Sequence, residues 1–80
     1  MNLESIRRFH DARPFRAFTI HMADGRNVSV RHPESLAYFS PGGRMVLVAT
    51  GVDAFEVIDL LLVTSLEIGN HRNHGRRRQA

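Results

Sequence analysis

The first apolar residues of the chain repeat at a helical spacing. The helix that this spacing predicts covers about residues 2–10, and its apolar side consists of Leu3, Ile6 and Phe9. Asn2 precedes them and is a residue type favoured at helix N-caps, and Pro14 ends the helical pattern. Because so short a helix is unstable alone, we predict that Ile6 and Phe9 dock it onto an apolar surface.

After the helix, apolar residues alternate with polar ones, as in strands with one buried face. Phe18 and Ile20 belong to one such segment, and Val28 and Val30 belong to the next. Facing residues of a hairpin share a side of the sheet, so burial of both sets pairs Ile20 with Val28 and Phe18 with Val30. This register needs a loop of odd length. A three-residue turn at residues 23–25, with its glycine in the left-handed conformation, provides that loop.

The rest of the chain predicts short strands separated by turns. Pro33 has no N–H to donate to a strand ladder and therefore ends the second strand. Later elements are an apolar segment at 36–39, strands at 45–49, around 55–57 and at 63–68, and a helical turn at 59–61. Residues 45–49 are all apolar, which is typical of a strand buried on both faces. Asp59 is predicted to cap the helical turn.

A short helix followed by five or six short strands predicts a mainly β fold, a small five- to six-stranded antiparallel barrel. The element order resembles that of SH3-like and Sm-like small barrels. Residues 1–69 are predicted to form this single domain, and residues 70–80, which lack apolar periodicity, are predicted to be a disordered tail. The predicted core comprises Phe18, Ile20, Val28, Val30, Val46, Val48, Phe55, Val57, Leu61, Val63, Leu66 and Ile68, with Ile6 and Phe9 added from the helix.

Charge is distributed unevenly along the chain. Eleven arginines and no lysine oppose eight acidic residues, which gives a formal net charge of +3. Residues 1–69 carry a net charge of −1, whereas residues 70–80 carry +4 because they hold four arginines and no acid. The basic character therefore belongs to a tail on a slightly acidic domain.

Composition also bears on the cellular location of the protein and on the chemistry open to it. The chain has no cysteine, which excludes disulfides, thiolate zinc sites and cysteine nucleophiles. Its longest wholly apolar run, residues 45–49, is far too short for a membrane span, and residues 1–18 are charged where a signal peptide would be apolar. These features predict no membrane span and no secretory signal, and a cytoplasmic location is the default expectation.

Several short motifs stand out along the chain: RPFR at 13–16, TIH at 19–21, ADGR at 23–26, HPE at 32–34, SPGGR at 40–44 and IDLLLVT at 58–64. They resemble the motifs of a family of short bacterial proteins that has no assigned activity. The resemblance covers residues 13–68 and implies a single small bacterial domain, with no catalytic or binding residue to carry over.

Histidines are the first candidates for metal binding. His21 is predicted to lie beside Asn27 on the outer face of the hairpin. His32 lies at the end of the second strand, at a position whose side chain is predicted to point to the opposite face. Ligands on opposite faces of one hairpin cannot reach a single ion. His71 and His74 lie three apart in the tail and would chelate only weakly, because the segment must first become ordered. We therefore predict no metal and no cofactor.

Enzymatic chemistry has little support in the sequence. Asp53, Glu56 and Asp59 surround one predicted strand, but their spacing does not bring two carboxylates together as an acid–base pair. The loop at residues 40–44 lacks the Lys-Ser/Thr ending of a phosphate-binding loop and precedes a strand, which favours a plain turn. The sequence predicts a protein that is not an enzyme, with a small hydrolase as the least favoured class.

Two functions remain. The first is a binding or assembly module whose partner is unknown, or a second copy of the chain joined by strand edges or by an exposed apolar patch around Leu60 and Leu62. The alternative is an Sm-like or SH3-like nucleic-acid-binding protein, in which arginines neutralise phosphates and affinity falls as salt rises. Its candidate contacts are Arg7, Arg8, Arg13, Arg16, Arg72, Arg76, Arg77 and Arg78.

Overall fold

The chain folds into one short helix and two three-stranded antiparallel sheets. A computed structural model describes residues 1–39 and 43–69. The elements are α1 (Leu3–His10), β1 (Phe18–Met22), β2 (Asn27–Val30), β3 (Leu36–Tyr38), β4 (Met45–Gly51), β5 (Ala54–Asp59) and β6 (Val63–Ile68), with single 3₁₀ turns at Pro33–Ser35 and Leu60–Leu62. The predicted mainly β class with an N-terminal helix is confirmed.

The strands do not close into the predicted barrel. One sheet has the order β2-β1-β6 and is called the β1 sheet; the other has the order β3-β4-β5 and is called the β4 sheet. Among the described residues, no ladder joins the two sheets. The reason lies at the crossings, because the chain passes from sheet to sheet through the 3₁₀ turns Pro33–Ser35 and Leu60–Leu62, where regular strand pairing stops.

The helix forms and docks as predicted. The Asn2 side chain caps it by accepting a hydrogen bond from the Ser5 backbone N–H at 3.0 Å. Ile6 is fully buried, and the Phe9 ring packs 5.4 Å from the ring of Phe18. Met1 adds a second attachment, since its amino group donates to the Leu60 carbonyl at 3.1 Å.

The β1–β2 hairpin has the predicted register. Phe18 faces Val30 and Ile20 faces Val28, and all four side chains are buried. The Met22 backbone N–H donates to the Arg26 carbonyl at 2.8 Å and closes a three-residue turn, in which the glycine has φ +94°. The alternation of apolar and polar residues was therefore sufficient to predict both the strand pairing and the length of the loop.

Every residue that the prediction placed in the core from the first half of the chain packs in or against the core, whereas part of the prediction for the second half is wrong. Val46, Val48 and Val63 are buried as expected, and Leu66 and Phe9 pack against the core while partly exposed. Four residues assigned to the core are exposed: Phe55 (63%), Val57 (45%), Leu61 (66%) and Ile68 (44%). Four buried residues were missed: Met22, Leu36, Ile58 and Leu60.

A β-bulge explains the reversal in β5. Gly51 pairs with Ala54, but the next pair is Ala49 with Phe55, so the residue between Ala49 and Gly51 has no partner of its own. This extra residue shifts the register by one and turns each β5 side chain to the opposite face. Ile58 therefore enters the core opposite Val46, and Val57 points outward.

The 3₁₀ turn Leu60–Leu62 explains the other error. Such a turn has about three residues per revolution, so Leu60 and Val63 share a side and are both buried. Leu61 and Leu62 are exposed instead. The expected apolar patch around Leu60 and Leu62 is therefore wrong for Leu60. The Asp59 carboxylate caps this turn, as predicted, by accepting from the Leu61 N–H at 3.0 Å.

Candidate binding surface

The outward face of the β4 sheet is apolar across all three strands. Only one face of β4 is buried, contrary to expectation, and its other side chains point away from the core. The register aligns Ala37, Leu47 and Val57 in one row and Ala49 with Phe55 in the next. The apolar face is defined as Ala37, Met45, Leu47, Ala49, Phe55 and Val57.

Charge is almost absent from the apolar face. Its neighbour Asp59 faces Met45 at one margin, and the Arg44 Nε lies 3.2 Å from an Asp59 carboxylate oxygen. Two further apolar side chains are exposed nearby in the chain, Phe39 (57%) and Leu61 (66%). Interface centres are typically depleted of charge and enriched in aromatic residues and methionine, and this face has no charge at its centre and includes Phe55 and Met45.

One edge of the apolar face is an open strand edge. In the β4 sheet, β5 pairs only with β4, so the other side of this six-residue strand has no strand beside it in the described structure. Proline and lysine, which often protect such edges, are absent from β5, although Glu56 and Asp59 provide charge there.

The outward face of the β1 sheet has the opposite character. His21 Nδ1 lies 2.6 Å from Asn27 Oδ1, and His21 Nε2 lies 2.8 Å from a carboxylate oxygen of Glu67. The buried Thr19 hydroxyl donates to the Gly69 carbonyl at 3.0 Å. The predicted placement of His21 beside Asn27 is confirmed, and these contacts form a polar network across β2, β1 and β6.

No metal centre appears in the described structure. His32 is exposed and lies outside the His21 network, and residues 1–39 and 43–69 contain no group of three His, Asp or Glu side chains arranged to hold an ion. His71 and His74 lie outside the described residues. The loop proposed above as a turn, residues 40–44, is described only at Gly43 and Arg44.

The three carboxylates around β5 lie in separate settings. Asp53 occupies the β4–β5 turn with φ +60°, and Asp59 caps the 3₁₀ turn and pairs with Arg44. Glu56, expected to point outward, lies on the inner parity of β5 because of the bulge and contacts Arg26 at 2.8 Å. No two of these groups form the close pair that acid–base catalysis requires.

Arg26 connects the two sheets. Its Nη1 contacts Glu56 in the β4 sheet, and its Nε contacts Asp24 in the β1–β2 turn at 3.0 Å. The hydrogen bond from the Arg26 backbone N–H, followed by its side-chain contacts, lowers the pKa of Asp24. Beside this bridge lies an open polar cleft of about 610 Å³ between β2 and the β4–β5 turn, with Arg31 and His32 at its lining.

A second polar cluster anchors the helix. His10 Nε2 donates to the Pro33 carbonyl at 2.6 Å, and His10 Nδ1 lies 2.7 Å from the Tyr38 hydroxyl oxygen. Burial raises the pKa of Tyr38, the Arg7 guanidinium opposes that rise, and Asp11 adds to it. Arg7 Cζ lies 4.5 Å from the Tyr38 ring centre, a cation–π contact.

The structure assigns different settings to the candidate arginines. Arg7 lies over Tyr38, and Arg13 donates to the His10 and Ala12 carbonyls. Arg8 and Arg16 line one shallow groove together with Ile68, at the end of β6. The tail candidates, Arg72, Arg76, Arg77 and Arg78, lie outside the described residues.

Comparison with known proteins adds no relative. No family model matches the chain, and neither a curated protein nor a solved structure matches it. Within the described part of the chain, no helix has the length and apolar character needed to span a membrane.

Proposed function

We propose that this protein is a non-enzymatic assembly module that binds another protein surface through the apolar face. The observation that carries the proposal is the exposure of Phe55, Val57 and Met45 together on a sheet face with no charge at its centre. Monomeric proteins rarely leave large contiguous apolar patches uncovered, and such patches commonly mark interaction sites. The bulge that reverses β5 creates this face, since it directs Phe55 and Val57 outward.

An open SH3-like arrangement is our proposal for the fold type. It is supported by the division of six short strands into the orders β2-β1-β6 and β3-β4-β5. The 3₁₀ turn Leu60–Leu62 before the last strand also agrees with the order of elements in such small barrels. In this proposal the β4 sheet is the binding half and the β1 sheet is the half that carries the polar network.

Oxidative footprinting tests whether the face is covered where the protein works. Met45 lies at the margin of the face and is 37% exposed, and the control is His32, which is exposed at the polar cleft between β2 and the β4–β5 turn. We expect Met45 and Phe55 to oxidise more slowly in the cells that produce the protein than in dilute purified protein, with His32 unchanged between the two. Equal oxidation of Met45 in cells and in dilute solution would contradict the proposal.

One observation supports the nucleic-acid alternative as a second candidate. Arg8 and Arg16 share a groove with Ile68, and Gly69 follows directly, with its N–H bonded to the Ala17 carbonyl at 2.7 Å. Gly69, after which the arginine-rich segment 70–80 follows in the sequence, therefore lies near Arg8 and Arg16, two exposed arginines of the N-terminal region. Such clustering suits phosphate backbones through counterion release rather than base recognition.

A salt titration with arginine variants tests this second candidate. The variant replaces Arg76, Arg77 and Arg78 with glutamine in the full chain, and Arg31→Gln serves as the control because Arg31 is exposed in the cleft, away from the groove. We expect the triple variant to weaken binding to random RNA and to reduce the salt slope by roughly two to three. Negligible binding by the unmodified chain would exclude this candidate.

A further inference from the structure

We propose, resting on the proposed function, that the partner is a second copy of this chain, packed apolar face to apolar face about a two-fold axis. The area of such a dimer depends on more than the apolar face alone. On the face, Phe55, Val57 and Met45 are exposed by 63%, 45% and 37%, and Phe39 and Leu61, which follow β3 and β5 in the chain, are exposed by 57% and 66%. Together these five side chains offer roughly 500–600 Å² per copy. A dimer that covers Phe39 and Leu61 as well as the face would bury about 1,000–1,200 Å² in total, at or just below the lower limit for stable specific interfaces, which suits a weak dimer.

The face is suited to meeting its own copy. In a two-fold interface the same patch lies on both sides, so any charge at its centre would face a like charge. The apolar face has no charge there, and its margin carries one acid and one base, Asp59 and Arg44. A two-fold dimer therefore brings no repulsion to the centre and permits exchange of opposite charges at the rim.

The arrangement of large and small side chains on the apolar face also permits a second sheet to pack against it. Leu47 lies at the centre of the middle strand, flanked by Ala37 and Val57, and Phe55 stands beside Ala49. Small residues beside large ones provide the hollows into which side chains of a second sheet fit when two sheets pack about 10 Å apart.

Face packing is favoured over pairing of the free β5 edges. Edge pairing would join two β5 strands into a wider sheet but would leave Phe55 and Val57 exposed on its surface. Face packing buries both side chains, and burial of apolar area is the main favourable term in association. The free β5 edge is then a second contact surface that this dimer does not use.

Sedimentation equilibrium across micromolar concentrations measures the association. We expect the mass to rise from the monomer value of 9.1 kDa towards twice that value, with a micromolar dissociation constant. The matched variants are Val57→Thr, on the face, and Val52→Thr, in the β4–β5 turn and 94% exposed. Val57→Thr should weaken the dimer about tenfold and leave a folded monomer with an unchanged circular dichroism spectrum, and Val52→Thr should leave the dimer unchanged. Equal affinities for the two variants would overturn the proposal.

Cysteine crosslinking identifies the packing mode. Because the chain has no cysteine, Leu47→Cys places a single thiol at the centre of the face, and Ser29→Cys places one on the β1 sheet as the control. In a face-packed dimer the two copies of residue 47 lie near the axis with their backbones about 10 Å apart, so a bifunctional thiol reagent that spans about 8 Å between sulfurs should join them in preference to residue 29. In an edge-paired dimer the two β4 strands are about 14 Å apart, beyond the reach of this reagent. A dimer without a crosslink at residue 47 would therefore overturn face packing.

A purely monomeric result separates this inference from the function on which it rests. If the protein stays monomeric at the highest concentrations but Met45 is protected in cells, the partner is a different protein and only the dimer proposal is wrong. If Met45 is also unprotected in cells, the proposed function is wrong as well.

Discussion

Asp24 is the residue whose ionisation depends most directly on the turn around it. Its carboxylate accepts from the Arg26 backbone N–H and contacts the Arg26 Nε, each at 3.0 Å. The backbone hydrogen bond is the largest cause of its lowered pKa. Because the pKa is lower in the folded chain than in the unfolded one, this contact stabilises the fold above about pH 4 and is lost as pH falls.

A carboxyl carbon NMR titration checks the Asp24 contact. We expect a midpoint for Asp24 below the ordinary aspartate value of about 3.9. Arg26→Gln should raise the midpoint only in part, because the backbone N–H of residue 26 still donates. A midpoint at or above the ordinary value in the unmodified protein would show that the turn does not form this contact.

Tyr38 allows a test at high pH. Burial raises its pKa, so the unfolded chain loses the phenol proton first, and the stabilisation is present below about pH 10 and lost above it. The chain has one tyrosine, no cysteine and no lysine, so few other groups titrate there. We expect urea unfolding to show a loss of stability above pH 10 that Tyr38→Phe does not share. At neutral pH, Tyr38→Phe should cost about 1 kcal/mol, because His10 loses a hydrogen-bond partner. Parallel pH profiles for the two proteins would contradict the role given to Tyr38.

At the scale of elements, the glycines at the two hairpin turns differ in whether their backbone conformation requires glycine. Gly25 has φ +94° with no atom near the position of an added Cβ, whereas Gly51 has no positive φ and would meet only the Ala54 Cβ at 3.7 Å. Gly25→Ala should therefore destabilise the protein by about 1 kcal/mol through backbone strain alone. Gly51→Ala should change stability by less than about 0.5 kcal/mol. Thermal or urea unfolding measures both, and equal effects would mean that the left-handed turn is not required.

The elements also show how far sequence pattern predicts this fold. Strict alternation and a glycine turn were enough to predict the β1–β2 hairpin, including its register. In β4 and β5 apolar residues occupy both parities, so the pattern contains no preference for either face. A single unpaired residue between Ala49 and Gly51 then decides which side is buried, and neither composition nor spacing reveals it.

The presence of apolar residues on both sides of β4 and β5 was the signal in the sequence that pointed to the apolar face. The segments containing Leu47, Phe55 and Val57 hold more apolar side chains than one side of a three-stranded sheet can bury. An excess of this kind indicates a second apolar face. Assigning all of these residues to the core hid the surface that the structure places in solvent.

For the whole molecule, the central claim is that the two sheets share a core but have unlike outer faces. The β1 sheet carries the polar network around His21, and the β4 sheet carries the apolar face. Among the described residues, the twelve buried core side chains come from both sheets, from the helix and, at Leu60, from a 3₁₀ turn, so the core does not need Phe55 or Val57. Residues that the fold does not need for its core are available for contact with a partner.

The most direct measurement is NMR relaxation of methyl groups by an inert paramagnetic cosolute, recorded as protein concentration is raised. At low concentration, the Val57 and Leu47 methyls should be accessible to the cosolute, and those of buried Val46 and Val48 should not. As concentration rises, the account predicts that Val57 and Leu47 become protected while Val52 stays accessible. Protection of Val57 at every concentration would place it in the core and contradict the account.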